Sequence, residues 1–218
     1  MQYVIGVPIV ILTNAITGLL TTLSGNTSGK VLFGAVVGVL SAVDYGGPIN
    51  KVVFTFAVGF QSEGFGGPIA NLIQASMIAP FGLTLGYAIS RATHRNLFSD
   101  QEVEAVKTAF VMGCFQITEG SFPIILNDLV RITICTALGA ATSGALCGFF
   151  DVSSSVPSGG FLAIPGINNP AAWLFALACG TVVFAVALQF LKHKPEEQVV
   201  EDSGATDSSI ENLSFESM

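Results

Sequence analysis

Charged residues are scarce in this 218-residue chain, and the places where they are missing indicate the class of protein. Asp, Glu, Lys and Arg make up 11% of the sequence, against about 25% in an average soluble domain. Four stretches of 19 residues or more carry no charge at all: 1–29, 64–90, 132–150 and 152–191. A membrane-spanning helix needs about 20 mainly apolar residues. Because these stretches also lack the regular polar face of a helix on a soluble core, the sequence predicts an integral membrane protein.

The sequence also lacks the features of a signal peptide, of a metal site and of a nucleic-acid-binding protein. The N-terminus has no basic segment ahead of a short apolar run, so a secretory signal peptide is not predicted. The four Cys lie in apolar stretches with no CxxC motif and no His at metal-ligand spacing, so they are expected to be small buried hydrophobes. We therefore predict no metal and no cofactor. Of the net charge of -7, the tail 192–218 carries -5, so the remaining residues carry -2 and nothing in the charge suggests a nucleic-acid partner.

What the chain does contain is apolar helical sequence with 24 Gly, a residue that lets transmembrane helices approach closely. Ser99 and Glu102 have the spacing of a capping box that opens a short amphipathic helix. Trp173 is expected near one membrane interface and Lys192 near the other. A turn is expected at 25–29. The predicted spans are 3–23, 69–90, 130–150 and 170–191.

Orientation follows from the basic residues. Those of the loop 91–107 mark it as cytoplasmic, and two Lys at the start of the acidic tail 192–218 place that tail, which we predict to be disordered, on the same side. An even number of crossings must then lie between them.

The spans 130–150 and 170–191 supply two crossings. The segments 108–127 and 152–168, which both contain Gly and Pro, are then expected to be re-entrant, since irregular backbone at membrane depth is tolerated only inside protein or beside a wet cavity. A further pair of spans would also satisfy this parity. The predicted fold is an all-α, polytopic transmembrane bundle with re-entrant or broken helices.

Ionisable residues at membrane depth are costly, at about 2.5–3.5 kcal/mol each on insertion scales, and by default they mark a pathway or a site. Five are expected here, each near a Gly or Pro: Asp44, Lys51, Glu119, Asp128 and Arg131.

These residues also carry a resemblance to a known family. Gly46-Gly47-Pro48-Ile49-Asn50-Lys51 resembles the Gly-Gly-Pro-x-Asn-Lys motif of the fructose-family IIC component of the bacterial phosphotransferase system. The segment 117–123, Ile-Thr-Glu-Gly-Ser-Phe-Pro, is similar to that family's Ile-Thr-Glu-Gly-x-x-Pro, and the family also has Asp and Arg just downstream. The segment 157–160, Pro-Ser-Gly-Gly, resembles its Pro-His-Gly-Gly. Ser158 stands where the family usually has His, and Leu129 where it often has Pro.

The resemblance implies that 1–191 is a membrane-embedded, sugar-translocating domain, partial relative to the family because the early spans have no counterpart. Such a permease binds a fructose-like sugar, and a phosphorylated IIB component, itself charged by IIA, transfers phosphate to it. The resemblance also implies a multi-pass protein of the bacterial plasma (inner) membrane and a homodimer when complete, and the basic residues at 192 and 194 predict that its C-terminus is cytoplasmic. The chain is expected to have no phosphoacceptor residue of its own.

Within this scheme Glu119 is the candidate catalytic residue, because a carboxylate can accept hydrogen bonds from sugar hydroxyls and take a proton as one attacks phosphorus. The candidate sugar-binding residues, which include it, are Gly47, Asn50, Lys51, Thr118, Glu119, Asp128, Arg131, Ser158 and Gly159. Several have a structural alternative: Glu119 as counter-ion to a buried cation, Asn50 and Lys51 as helix cap and interface anchor, and Asp128 with Arg131 as an ion pair. Gly159 and Gly160 have the alternative of allowing close packing.

Two other functions remain open at the level of the sequence. An ion-coupled secondary transporter also uses broken helices near the midplane of the bilayer. A truncated remnant that inserts without function is the second alternative.

Overall fold

The computed structural model describes residues 27–95 and 97–192. Within these residues the structure is helical, with one isolated bridge between Ser154 and Ile167 and no strand. The α-helices are α1 (Thr27–Ala42), α2 (Pro48–Ser62), α3 (Gly67–Ala92), α4 (Asp100–Gly113), α5 (Phe122–Ile125), α6 (Leu129–Phe149) and α7 (Pro170–Leu191). Short 3-10 helices occupy Glu119–Ser121, Leu126–Asp128 and Gly160–Gly166. The predicted span 3–23 and the tail beyond 192 lie outside the described residues.

Three helical stretches are long and apolar enough to cross a membrane: Gly67–Ala92, Glu119–Phe149 and Pro170–Leu191. The first, α3, has 26 residues, which corresponds to about 39 Å at 1.5 Å per residue. We call the end of the bundle where α3 begins the upper end, and the end where it finishes the lower end. The second stretch changes direction at Asp128, whose φ of -145° and ψ of 57° are not helical, so α6 is its crossing helix.

The crossing helices pack through small residues. α3 and α7 run parallel, since Gly82 lies against Phe184 and Gly86 against Leu188. α6 runs antiparallel to both, and its Gly139 meets Gly180 of α7 so closely that a Cβ on Gly139 would lie 2.8 Å from the Gly180 carbonyl oxygen. Glycine therefore sets the distance between these helices.

Helices α1 and α2 form a first hairpin (27–62) that enters from the upper end and returns to it. Lys30 of α1 pairs with Asp151 at the upper end of α6 at 2.9 Å. Further down, a Cβ on Gly34 would stand 2.1 Å from the Gly144 carbonyl oxygen, so the two backbones touch. At the turn the Tyr45 hydroxyl contacts Thr136 at 2.9 Å. The predicted break at 44–51 is thus the tip of a helical hairpin.

Residues 100–128 form a second hairpin, which enters from the lower end. The predicted capping box opens α4: the Glu102 N–H donates to the Ser99 hydroxyl at 3.3 Å, and the Ser99 N–H donates to the Glu102 carboxylate at 3.1 Å. α4 rises until Gly113 lies against Pro80, near the middle of α3. The chain then descends, and Asn127 contacts Glu102 at 3.2 Å. The prediction that 108–127 goes in and returns is confirmed.

Residues 152–168 form a descending loop, which enters from the upper end. Its two limbs are held together where the Ser154–Ile167 bridge lies and where the Ser154 N–H donates to the Gly66 carbonyl at 3.0 Å. At its tip Phe161 packs against Phe81 in the middle of α3, with ring centroids 5.6 Å apart. The second predicted re-entrant segment is therefore confirmed, and its tip reaches the same level as the tip of the second hairpin.

One expectation about individual positions is wrong, and two residues expected near the interfaces are buried. The turn expected at 25–29 is helix from Thr27 onward, because α1 must extend to the upper end to pack along α6. Trp173 lies in the first turn of α7, at the end of the helix where an interfacial position is expected, but it is fully buried and its indole N–H donates to the Ala70 carbonyl at 3.1 Å. Lys192 is also buried, and its ammonium binds the Glu102 carboxylate at 2.9 Å.

Candidate functional site

The second hairpin and the descending loop meet at their tips, and Gln116 lies at the junction. Its side-chain oxygen accepts hydrogen bonds from the N–H of Gly159 at 2.8 Å and of Gly160 at 3.3 Å. Beside these bonds, the Phe161 N–H donates to the Cys114 carbonyl at 3.0 Å. Two non-helical segments that are 43 residues apart in sequence are thus joined through backbone groups.

Thr118 and Glu119 follow directly on the second hairpin. The Thr118 hydroxyl donates to the Ser76 carbonyl of α3 at 3.0 Å, which fixes this side chain to the core. Glu119 begins the 3-10 helix Glu119–Ser121, and its carboxylate is exposed. No ion pair to Glu119 is present among the described residues. The arrangement therefore leaves the carboxylate available to a ligand and gives no support to the alternative in which Lys51 or Arg131 neutralises it.

Ser158 and Gly159 lie on the facing loop. Ser158 is exposed and directly precedes the two glycines that Gln116 binds. Gly159 has a φ of 130° and Gly160 a φ of 59°, which glycine adopts readily and residues with a side chain seldom adopt. The two segments that meet at the junction thus carry an exposed carboxylate, Glu119, and an exposed hydroxyl, Ser158, which are groups that hydrogen-bond a polyol.

The tip of the first hairpin is organised by Asp44. Its carboxylate accepts from the N–H of Ile49 at 2.6 Å and of Asn50 at 3.1 Å, in the first turn of α2. The Asn50 side chain donates to the Ser41 carbonyl at the end of α1. Lys51 is exposed. Asp44 therefore satisfies the free N–H groups of a helix N-terminus, where the helix dipole also favours a negative charge.

Asp128 and Arg131 lie at the lower end of the bundle, which corrects the expectation that they sit at membrane depth. Asp128 closes the second hairpin one residue after Asn127, which contacts the buried Glu102. The Arg131 guanidinium binds the Asp128 carboxylate at 3.4 Å, with both side chains partly exposed. The contact is the ion pair that a spacing of three residues on the chain favours.

The candidate residues thus fall into three groups. Gly159 is bonded to Gln116 at the junction of the tips, and Thr118, Glu119 and Ser158 lie within three residues of these two in sequence. Gly47, Asn50 and Lys51 occupy the first tip, and Asp128 and Arg131 the lower end. Among the described residues, no hydrogen bond or ion pair joins the first tip to the junction.

Sequence reasoning missed two polar elements. One is Gln116, a polar side chain in the otherwise apolar run before Glu119, which was the available signal. The other is a buried network in which Gln74 accepts from the hydroxyl of Ser143 and, at 3.1 Å, from the thiol of Cys147, while its amide donates to the Trp173 carbonyl. The network holds α3, α6 and α7 together, and no local pattern on any one helix reveals it.

Comparison with known proteins finds similarity over about nine tenths of the chain. The fructose permease IIC component of Bacillus amyloliquefaciens is 34% identical over 198 residues, which cover 91% of this chain and 63% of that protein. The fructose-specific EIIABC component of the phosphotransferase system of Bacillus subtilis (strain 168) is 33% identical over 198 residues, 91% of this chain and 30% of that protein.

A third relative is the fructose-specific EIIB'BC component of Escherichia coli (strain K12), which is 34% identical over 203 residues, 92% of this chain and 35% of that protein. The chain therefore spans from about a third to just under two thirds of the length of these curated relatives. No protein-family model matches the chain, and no solved structure does.

Proposed function

Because this chain is homologous to fructose-specific IIC components of the phosphotransferase system over about nine tenths of its length, we propose that it forms the sugar-binding and translocating part of such a permease. The observation that carries the proposal is the junction of two re-entrant tips, where Gln116 binds Gly159 and the motif residues Thr118, Glu119 and Ser158 follow or precede these two directly in the chain. A polyol needs several hydrogen-bonding groups in one place, and the exposed side chains of Glu119 and Ser158 are the first candidates for them.

In this proposal a fructose-like sugar binds at the junction and Glu119 acts on the hydroxyl that attacks phosphorus. The phosphate comes from a phosphorylated IIB component, as the fused B and C components of the Escherichia coli relative support. Phosphoryl transfer depends mainly on positioning and on neutralising charge. Lys51 and Arg131 are the candidate cations, and Gly47, Asn50 and Asp128 complete the proposed set, although the last two already make local contacts.

We place the lower end of the bundle in the cytoplasm, in a multi-pass protein of the bacterial plasma membrane. The basic residues Arg91 and Arg95 lie at that end, and the Arg95 guanidinium donates to the Gln189 carbonyl of α7 at 3.2 Å, so the loop after α3 and the end of α7 share one side. Positive charge is enriched on the cytoplasmic side of membrane proteins. A IIB component would then approach from the lower end. We also propose that the complete protein is a homodimer.

The test is sugar phosphorylation by membranes that contain the chain, with the general phosphotransferase proteins and a fructose-specific IIB component supplied. We expect labelled fructose phosphate to form only with phosphoenolpyruvate, and Glu119→Gln to abolish its formation while part of the fructose binding remains, since Gln keeps hydrogen-bonding groups but loses the base. Glu119→Ala should lose both.

Exposed Glu104, which lies on α4, is the matched control, and Glu104→Gln should behave like the unchanged chain. Fructose uptake without a phosphoryl donor would instead indicate a secondary transporter. Insertion without fructose binding would indicate a remnant, and normal phosphorylation by the Glu119→Gln variant would end the role assigned to that residue.

A further inference from the structure

Gln116 has an unusual backbone conformation for a residue with a side chain. Its φ is 66°, in the left-handed region that glycine adopts at little cost. A Gly at this position would relieve the strain, but it would remove the side chain that binds Gly159 and Gly160. Residues held in such conformations cluster at functional sites, where the surrounding structure maintains the strain. The contact made by the Gln116 side chain is therefore a candidate for a functional role.

The fit around Gln116 is tight. A Cβ on Gly160 would lie 2.4 Å from the Cys114 carbonyl oxygen and 2.8 Å from the Gln116 nitrogen, so the two backbones are in direct contact. Among the described residues, the hydrogen bonds between the two tips are the pair made by the Gln116 side chain and the backbone bond from Phe161 to Cys114. The Gln116 side chain thus accepts two of these three hydrogen bonds.

The rest of the descending loop does not depend on this junction. At its upper end the Ser155 N–H donates to the Gly166 carbonyl at 2.9 Å, and the Asn168 amide donates to the Asp151 carbonyl at 3.0 Å. Loss of the Gln116 side chain should therefore release the tip of the loop and leave both limbs in place.

We infer that Gln116 is a positioning residue, which clamps the tips of the two re-entrant segments together and so sets the separation of Glu119 and Ser158. Glu119 follows Gln116 by three residues, and Ser158 immediately precedes its partner Gly159. The positioning role rests on the proposed function, whereas the clamp itself does not. When the residues that hold catalytic groups in place become mobile, the reaction rate falls even if the substrate still binds, because the groups no longer meet the substrate in one geometry.

The test compares three variants of the full chain. Gln116→Met keeps the length and flexibility of the side chain but has no strong hydrogen-bond acceptor. Gln116→Glu keeps the acceptor and should rescue the clamp. Gln101→Met makes the same change at an exposed position on α4 and is the matched control.

The first measurement needs no sugar. Amide hydrogen exchange at Gly159 and Gly160 should become about tenfold faster in Gln116→Met, as expected when such hydrogen bonds are lost from a locally opening segment. Trp173, the only tryptophan, lies 6.3 Å from Phe161 between ring centroids, so acrylamide should quench its fluorescence more strongly. Gln116→Glu and Gln101→Met should match the unchanged chain. Unchanged exchange in Gln116→Met would overturn the clamp.

The second measurement is fructose phosphorylation with a IIB component supplied. Gln116→Met should lower kcat about tenfold, with a smaller change in KM and an unchanged amount of inserted protein. Gln116→Glu should recover most of the rate. Faster exchange with normal kcat would overturn the positioning role while keeping the clamp. If the unchanged chain forms no fructose phosphate, the proposed function fails and the positioning role with it, whereas the exchange result still decides the clamp.

Discussion

The buried ion pair between Glu102 and Lys192 offers a sharp test of how the bundle is closed at its lower end. Both side chains are about 4% exposed. The Lys192 ammonium binds the Glu102 carboxylate and also lies 4.0 Å from the centre of the Phe98 ring. Burial lowers the pKa of Lys192 from its ordinary value, and the hydrogen bond to Glu102 opposes that shift. The pair joins the base of the second hairpin to the end of α7.

We expect Lys192→Met to be strongly destabilising, because it leaves a buried carboxylate without its counter-ion. Removing one partner of a buried pair costs about 3–5 kcal/mol. Glu102 would keep two hydrogen-bond donors, the Ser99 N–H at 3.1 Å and the Asn127 amide at 3.2 Å. We therefore take the smallest cost in this range, about 3 kcal/mol. For a chain of this length that corresponds to a fall in Tm of about 6–12 °C.

The assay is thermal unfolding in detergent, followed by the fluorescence of Trp173. The double variant Glu102→Gln with Lys192→Met should recover most of the lost Tm, because Gln carries no charge and its side-chain oxygen can still accept a hydrogen bond from the Ser99 N–H. The control is the exposed pair Lys107–Glu104, at 2.6 Å on the same hairpin. Lys107→Met should leave Tm unchanged, since exposed pairs are screened by solvent. A Tm for Lys192→Met equal to that of the unchanged chain would refute the reasoning.

Three further predictions concern packing, capping and sidedness. Gly144→Ala should lower Tm markedly, since its Cβ would lie too close to the Gly34 carbonyl oxygen of α1. Gly59→Ala is the control, because a Cβ there would meet nothing within 4 Å, and it should leave Tm unchanged or raise it. Equal effects of the two substitutions on Tm would contradict the close backbone contact between α1 and α6. Asp44→Ala should cost about 1 kcal/mol through loss of the cap and speed amide exchange in the first turn of α2, and unchanged exchange would argue against it. Cysteines placed at Thr93 and Ser203 in a cysteine-free variant should both react with an impermeant maleimide from the cytoplasmic side, and opposite sides would overturn the assigned orientation.

The sequence alone was enough to predict the elements that local chemistry specifies. An uncharged run bounded by Pro170 and Lys192 predicts a helix at 170–191, and the structure has that helix. The capping box at Ser99 and Glu102 is a contact between neighbours in the chain, so it could be predicted without knowing the fold. The two re-entrant segments followed from the positions of Gly and Pro together with the side on which basic residues lie.

Tertiary structure decided which way each side chain points and what it meets. Trp173 and Lys192 stand at the ends of an apolar helix, where interfacial positions are usual, but the rotation of α7 against α3 and α4 turns both inward. Asp128 and Arg131 follow a re-entrant tip in sequence, yet the descent of the chain after Glu119 carries them to the lower end.

The junction at Gln116 is the clearest example of a contact that only the tertiary structure decides. Its partners lie more than 40 residues away on a loop that enters from the opposite end of the bundle. Such a contact depends on how far each segment penetrates, which is set by the packing of α4 and the descending loop against α3. The residue type made Gln116 visible as a polar group in an apolar run, but only the meeting of the two tips shows what it binds.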